Sequence, residues 1–173
     1  LIKNTKIKLG AQDCSLNDNG AYTGQISSDM ILDAGCEYVI LGHSERRSMC
    51  NETSKDVSLK SFKAISKGLN VIICIGESLR EREDNSFLSI LENQLSSSLP
   101  KLIGNEFEIS DFQITIAYEP IWAIGSGKVA TSENIEEVHE FIKNCLNVYF
   151  ESSIKIPVIY GGSVNVNNSI QIL

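Results

Sequence analysis

The sequence is short of the residues that build several classes of protein. Its 173 residues include only 3 prolines, 1 tryptophan and 2 histidines. Basic side chains are outnumbered, 15 against 22 acidic, for a net charge of −7. With no basic excess to neutralise phosphates, the composition argues against a nucleic-acid binder. It also gives no long-range pull on a small anion, so an anion site has to be built locally. No apolar run approaches the roughly 18 residues of a membrane span. No CxxC pair occurs. The five cysteines, Cys14, Cys36, Cys50, Cys74 and Cys145, lie 22, 14, 24 and 71 residues apart. With so few histidines they offer no zinc pattern, and no metal is expected. They read as reduced thiols of a cytosolic protein. Asn51-Glu52-Thr53 and Asn167-Asn168-Ser169 fit the glycosylation sequon, but no secretory signal gives the match meaning.

What is present is ordinary for a globular chain: 42% hydrophobic and 21% charged residues, which argues against disorder. The length suggests one domain. Short β-branched runs alternate with helical patterns. The strand candidates are Ile7–Gln12, Tyr38–Leu41, Val71–Ile75, Ile114–Tyr118 and Ile156–Tyr160, and their starts are 31, 33, 43 and 42 residues apart. Each interval has room for a crossover helix. The runs are continuously apolar, as for strands covered on both faces. Between them, Leu88, Leu91, Leu95, Leu99 and Leu102 form one helical stripe, with Ser78 and Glu81 as a capping box ahead of it. Ile135, Val138, Ile142, Leu146 and Tyr149 form a second, with Thr131 as N-cap. Leu59, Phe62 and Ile65 suggest a third. His139 falls on the charged side of the second helix and is assigned no role. The order predicts a parallel α/β sheet, open or barrelled. The chain starts at Leu1 and stops in what reads as an opening helical turn, so both ends look like cuts.

The unusual polar residues follow the strands. They are Gln12-Asp13, Gly42-His43-Ser44-Glu45-Arg46-Arg47, Gly76-Glu77, Glu119-Pro120 and Gly161-Gly162-Ser163. In parallel α/β folds these ends share one rim, where ligands bind. His43 has a plain reading, local hydrogen-bond satisfaction, and a functional one. It directly follows a strand and precedes a possible helical turn, whose N-terminus disfavours imidazolium. Glu119 is placed on the rim because Pro120 ends the ladder. Taken alone it reads as readily as a solvated strand-end acid as a functional one. Beside the apolar Ile121–Ile124 it would suit proton abstraction. Gly125-Ser126-Gly127-Lys128 fails as a P-loop, since Trp122 and Val129 stand where Gly and Ser/Thr are required. Pro120–Ala130 fits a water-excluding lid better. Gly161-Gly162-Ser163 is a weak phosphate cradle by itself.

Taken together, these segments closely resemble the triosephosphate isomerase family. The matches are Leu41–Arg47, Cys74-Ile75-Gly76-Glu77, Ala117–Gly125 and Tyr160–Val164, in family order across essentially the whole chain. Gly20-Ala21-Tyr22-Thr23-Gly24 matches the family's interlocking loop. The resemblance implies a (β/α)8 TIM barrel that interconverts dihydroxyacetone phosphate and D-glyceraldehyde 3-phosphate through an enediolate, without cofactor or metal. It implies Glu119 as base and His43 as neutral electrophile, with Ser44 and Glu45 in the supporting shell. It implies phosphate contacts at Gly125, Gly162 and Ser163. It implies a lid that includes Pro120, Trp122, Ile124, Ser126, Gly127 and Lys128, and a homodimer contact through Tyr22 and Thr23. Cys74 matches a buried structural position.

Ser126 stands where Thr is usual, and Gln25 where Glu is usual. The chain matches the family's third to seventh strands, so residues 1–173 are expected to form one incomplete barrel domain. Nothing matches the family's Asn-x-Lys segment after the first strand or the glycine pair after the eighth. The alternative is therefore a truncated, catalytically incompetent fragment that acts only as a folding or binding unit. Another sugar-phosphate barrel enzyme is a third reading. Against it, no lysine sits at a strand end for a Schiff base.

Overall fold

A computed structural model describes residues 5–100, 109–111, 113–124, 128–150, 154–166 and 168–172. Strands and helices alternate along it. They are β1 (Gly10–Ala11), α1 (Ser28–Asp33), β2 (Tyr38–Leu41), α2 (Ser44–Met49), α3 (Ser54–Ser66), β3 (Asn70–Ile75), α4 (Leu79–Glu83), α5 (Phe87–Ser98), β4 (Ile114–Tyr118), a 3-10 turn (Ile121–Ala123), α6 (Ser132–Tyr149), β5 (Val158–Tyr160) and α7 (Ser169–Ile172). The five strands pair in chain order, all parallel. Crossover helices therefore carry the chain back each time, and every strand's C-terminal end reaches the same rim.

Two strands are shorter than the sequence pattern predicts. At β1 only Gly10 and Ala11 pair, with Tyr38 and Val39. Ile7 and Leu9 before them are 65% and 40% exposed, because β1 is an edge. At β5, Pro157 has no N–H to enter the ladder. Its carbonyl still accepts from the Ile116 N–H at 2.9 Å.

The expectation of strands covered on both faces is met only in part. Val39, Leu41, Val71, Ile73, Ile114 and Ile116 are fully buried and pack with Val57, Ala64, Leu91, Leu95 and Ile142 of the helices. Ile40, Ile72 and Thr115, which point the other way, are half-buried. The apolar run is the same on both faces, but the helix layer covers one.

Three helix expectations change. The Ser78–Glu81 capping box exists, but it starts the short helix α4 and not the leucine helix. In α5 the buried residues are Phe87, Leu91, Leu95 and Ser98, with Leu99 at the C-cap; Leu88 is half-buried, and Leu102 lies outside the described residues. In α3 the buried face is Val57, Ser61, Ala64 and Ile65, whereas Leu59 and Phe62 are 46% and 37% exposed. The small residues Ser61 and Ala64 let α3 approach the sheet, so the stripe of largest side chains is not the buried one. Thr131 caps α6 through the Asn134 N–H as expected. Four members of the α6 stripe are buried, and Tyr149 is 40% exposed.

Candidate active site

His43 directly follows β2 and Gly42. It is the N-cap of α2, and its Nδ1 accepts the Glu45 N–H at 3.3 Å. A nitrogen that accepts carries no proton, so the neutral tautomer has its hydrogen on Nε2. That Nε2 lies 3.4 Å from Glu119 Oε1. The imidazole is 32% exposed, whereas the Glu119 side chain is 6% exposed.

Glu119 is the first residue beyond β4. Its own N–H donates to the Ile75 carbonyl at 2.8 Å, which keeps the strand end in register. Its Oε2 accepts the Ser44 N–H at 3.2 Å. Cys74 lies beside it, and burial first, then the carboxylate, push that thiol well above its ordinary range. Cys74 is therefore a packed, protonated neighbour and no nucleophile. Two glycines make room for the acid. A Cβ on Gly76 would lie 1.8 Å from the Glu119 carbonyl oxygen, and one on Gly161 would lie 2.8 Å from Glu119 Cγ.

The supporting residues act through the main chain. Ser44 serves the glutamate with its N–H, and Glu45 serves the histidine with its own. The Glu45 carboxylate is 68% exposed and stands 3.9 Å from Nδ1.

The lid segment is rooted on buried groups. Pro120 is buried and leads into the 3-10 turn. The Ile121 N–H donates to the Glu77 carbonyl at 3.0 Å. Trp122 Nε1 donates to Glu77 Oε1 at 2.8 Å, and Tyr118 Oη donates to the same oxygen at 3.0 Å. Glu77 is fully buried. Burial, then the Glu77 charge, raise the Tyr118 phenol. Ile124 closes the turn with its N–H on the Ile121 carbonyl. Gly125, Ser126 and Gly127 lie outside the described residues, and Lys128 beyond them is exposed.

Ser163 Oγ donates to the Ala123 carbonyl at 3.1 Å, which ties the end of β5 to the lid root. Among the described residues the N–H groups of Gly162 and Ser163 have no acceptor. A Cβ on Gly162 would lie 2.2 Å from the Tyr160 hydroxyl, so the phenol would have to shift to admit a side chain there. Burial raises the Tyr160 phenol, with the Ala130 backbone opposing.

Tyr22 and Thr23 stand exposed on a loop whose legs are closed by Ser15 N–H to Ile26 carbonyl at 2.8 Å. Ser15 Oγ also donates to Gln25 Oε1 at 2.6 Å. The Gln25 amide thus serves the loop's own base. Beside it is a cavity of about 600 Å³, lined by Asp13, Cys14, Gln25, Arg46, Glu52 and Lys60 among others, and not by His43 or Glu119.

Sequence reasoning left four contributors unassigned. Glu77 holds the lid root, and its signal is an acid directly after a strand and a glycine. Gly76 and Gly161 accommodate Glu119. Arg47 is half-buried and donates to the carbonyls of Gly42 and Cys74 and the hydroxyls of Ser54 and Ser98. His139 departs from its expected place: its ring meets Tyr118 edge-on, centroids 6.2 Å apart, and does not lie on the solvated side. The five cysteines are unpaired. Among the described residues no cluster of His, Cys, Asp or Glu could hold a metal, and no helix is long and apolar enough to cross a membrane.

Comparisons with known proteins agree on one family. The model of the family described as triosephosphate isomerase matches residues 1–173. The triosephosphate isomerase of Geotalea uraniireducens is 45% identical over 169 residues, 96% of this chain and 66% of that protein. That of Coprinopsis cinerea is 45% identical over 170 residues, 97% of this chain and 66% of that protein. The crystal structure of the triosephosphate isomerase of Bartonella henselae superposes with a TM-score of 0.85 at 41% identity, covering 98% of this chain and 67% of that one. The chain thus spans about two thirds of the length of these relatives.

Proposed function

This chain belongs to the triosephosphate isomerase family and its five strands form part of that family's (β/α)8 barrel; from that premise we propose that the protein interconverts dihydroxyacetone phosphate and D-glyceraldehyde 3-phosphate. The observation that carries the reading is the approach of Glu119 Oε1 to His43 Nε2, 3.4 Å, between a buried carboxylate and an imidazole whose Nδ1 is bare.

The division of labour between a glutamate base and a neutral histidine is the family's own. Glu119 leaves the Ser44 N–H and takes a proton from the carbon beside the substrate carbonyl. The C–H electron pair forms the C=C bond of the enediolate, and the carbonyl π pair moves onto oxygen. His43 Nε2–H donates to that oxygen and polarises it as charge develops. The histidine then moves protons between the two oxygens, and Glu119 returns its proton to the neighbouring carbon. No electron leaves the substrate, so the reaction balances without a redox partner. The N–H groups of Gly162 and Ser163, with Gly125, take the phosphate. Pro120–Ala130 closes over it and excludes water.

In the same reading residues 1–173 are one incomplete barrel domain, the protein is cytoplasmic, and Tyr22 and Thr23 enter a partner subunit's site in a homodimer.

Glu119→Asp withdraws the carboxylate by one methylene. In the protein as its source expresses it, kcat should fall by about 10²-fold or more. Unchanged kcat removes the assignment. Thr23→Arg should weaken the dimer in sedimentation, and a dimer of equal affinity removes the loop assignment.

A further inference from the structure

The turn that carries His43 is gripped by buried charge on both sides. Gly42 has φ +70°, and a Cβ there would lie 2.8 Å from both Arg47 Nη2 and Val57 Cγ2. Its N–H donates to Glu52 Oε2 at 3.2 Å. Its carbonyl, half of the peptide bond to His43, accepts from Arg47 Nε at 2.7 Å.

Glu52 reaches the far side of the same turn. Its Oε1 accepts from Arg46 Nε at 3.4 Å, and its backbone N–H donates to the Arg46 carbonyl at 3.2 Å. Lys60 Nζ, on α3, contacts the same carboxylate. Asp13, just past β1, joins Lys60 at 2.7 Å and Arg46 at 2.9 Å. The Glu52 side chain is 4% exposed and that of Lys60 6%.

A buried carboxylate persists only when it is paired and hydrogen-bonded. This one directs its contacts to Gly42, just before His43, and to Arg46, three residues after it, and it is anchored in turn to α3. No contact of Glu52 reaches the imidazole itself. Its leverage is on the backbone that aims the ring.

We infer that Glu52 is a positioning residue for His43. It holds Gly42–Arg46 so that Nε2 faces Glu119 while Nδ1 stays on the Glu45 N–H. The inference rests on the proposed role of His43 as electrophile, and the experiment separates the two.

Two variants are made in the protein as its source expresses it. Glu52→Gln keeps an acceptor for the Gly42 N–H but removes the charge that meets Arg46 and Lys60. The double variant Glu52→Leu with Lys60→Met replaces the buried pair by apolar side chains, so it leaves no unpaired charge behind. Steady-state kinetics and the ¹⁵N signals of His43 are read for both, beside His43→Gln.

Positioning predicts a kcat lower by about tenfold or more, with KM within about twofold. It also predicts that the single bare-Nδ1 signature of His43 gives way to mixed tautomers. A folded double variant with parental kcat and parental His43 signals overturns the inference. If His43→Gln leaves kcat intact, the electrophile role fails. The ¹⁵N signature still decides whether Glu52 holds the ring.

Discussion

The two groups proposed to carry the chemistry stand on segments held in different ways. His43 lies on a turn whose backbone is gripped at Gly42 and Arg46 by Glu52, itself tied to Lys60 and Asp13. Glu119 lies at the root of a segment joined to the body by single hydrogen bonds, Trp122 and Ile121 to Glu77 and Ser163 to Ala123. A polariser that must aim one N–H at one oxygen gains from a fixed backbone. A base that has to reach two adjacent carbons, at the root of the proposed lid, gains from contacts that can be broken singly. Charged grips on one side and neutral or one-sided hydrogen bonds on the other express that difference in chemistry.

The largest expected effect comes from breaking the rigid side at its pivot. Gly42→Ala puts a side chain at φ +70° and against Arg47 and Val57. We expect a loss of about 2–4 kcal/mol in urea unfolding and a fall in kcat greater than any lid-root variant produces. A Gly42→Ala protein as stable and as fast as the parent would show that the grip has no consequence.

The lid root sharpens the same comparison at smaller scale. Trp122→Phe removes one of two donors from the buried Glu77 Oε1 and leaves Tyr118 Oη as its partner. The expected cost is about 1–2 kcal/mol of stability, with kcat changed less than by Glu119→Asp. The ¹⁵N signature of His43 should be untouched. A His43 signal that responds to Trp122→Phe as it does to Glu52→Gln would mean that the two regions are one.

The smallest effect concerns pH. His139 is held below its ordinary 6.5, first by burial and then by Lys143. A depressed folded value means that the unfolded chain binds the extra proton more readily. The stability from His139 is therefore full above 6.5 and is lost as the pH falls through the lower folded value. His139→Gln should flatten the slope of stability against pH below about 6.5. An unchanged slope would mean that burial of the ring carries no such linkage.

Much of this was legible in the sequence, for physical reasons that differ by element. β2 and β4 are central, apolar and bounded by turn residues, and they appear where the pattern places them. β1 and β5 are edges, where pairing and not composition sets the length. The buried face of α3 differs from its stripe of large apolar residues because its contact with the sheet uses Ser61 and Ala64. At the site, His43 and Glu119 announce themselves as polar residues at strand ends. Glu52 does not, because it lies between an exposed asparagine and a helix cap with no apolar frame around it. Its role depends on Lys60 and Gly42, brought to it only by the fold. Gly76 shows a similar limit: as a glycine after a strand it reads as a turn, while the reason for it is the Glu119 backbone 1.8 Å from where a Cβ would be.

The central claim is that Glu119 carries a proton between neighbouring substrate carbons. The most direct measurement is the reaction in deuterium oxide, with product and recovered substrate read by NMR. A carboxylate that exchanges its proton with solvent predicts deuterium on carbon at the reacting positions, and its loss along with turnover in Glu119→Gln. Product free of deuterium, or undiminished exchange in Glu119→Gln, would contradict the account.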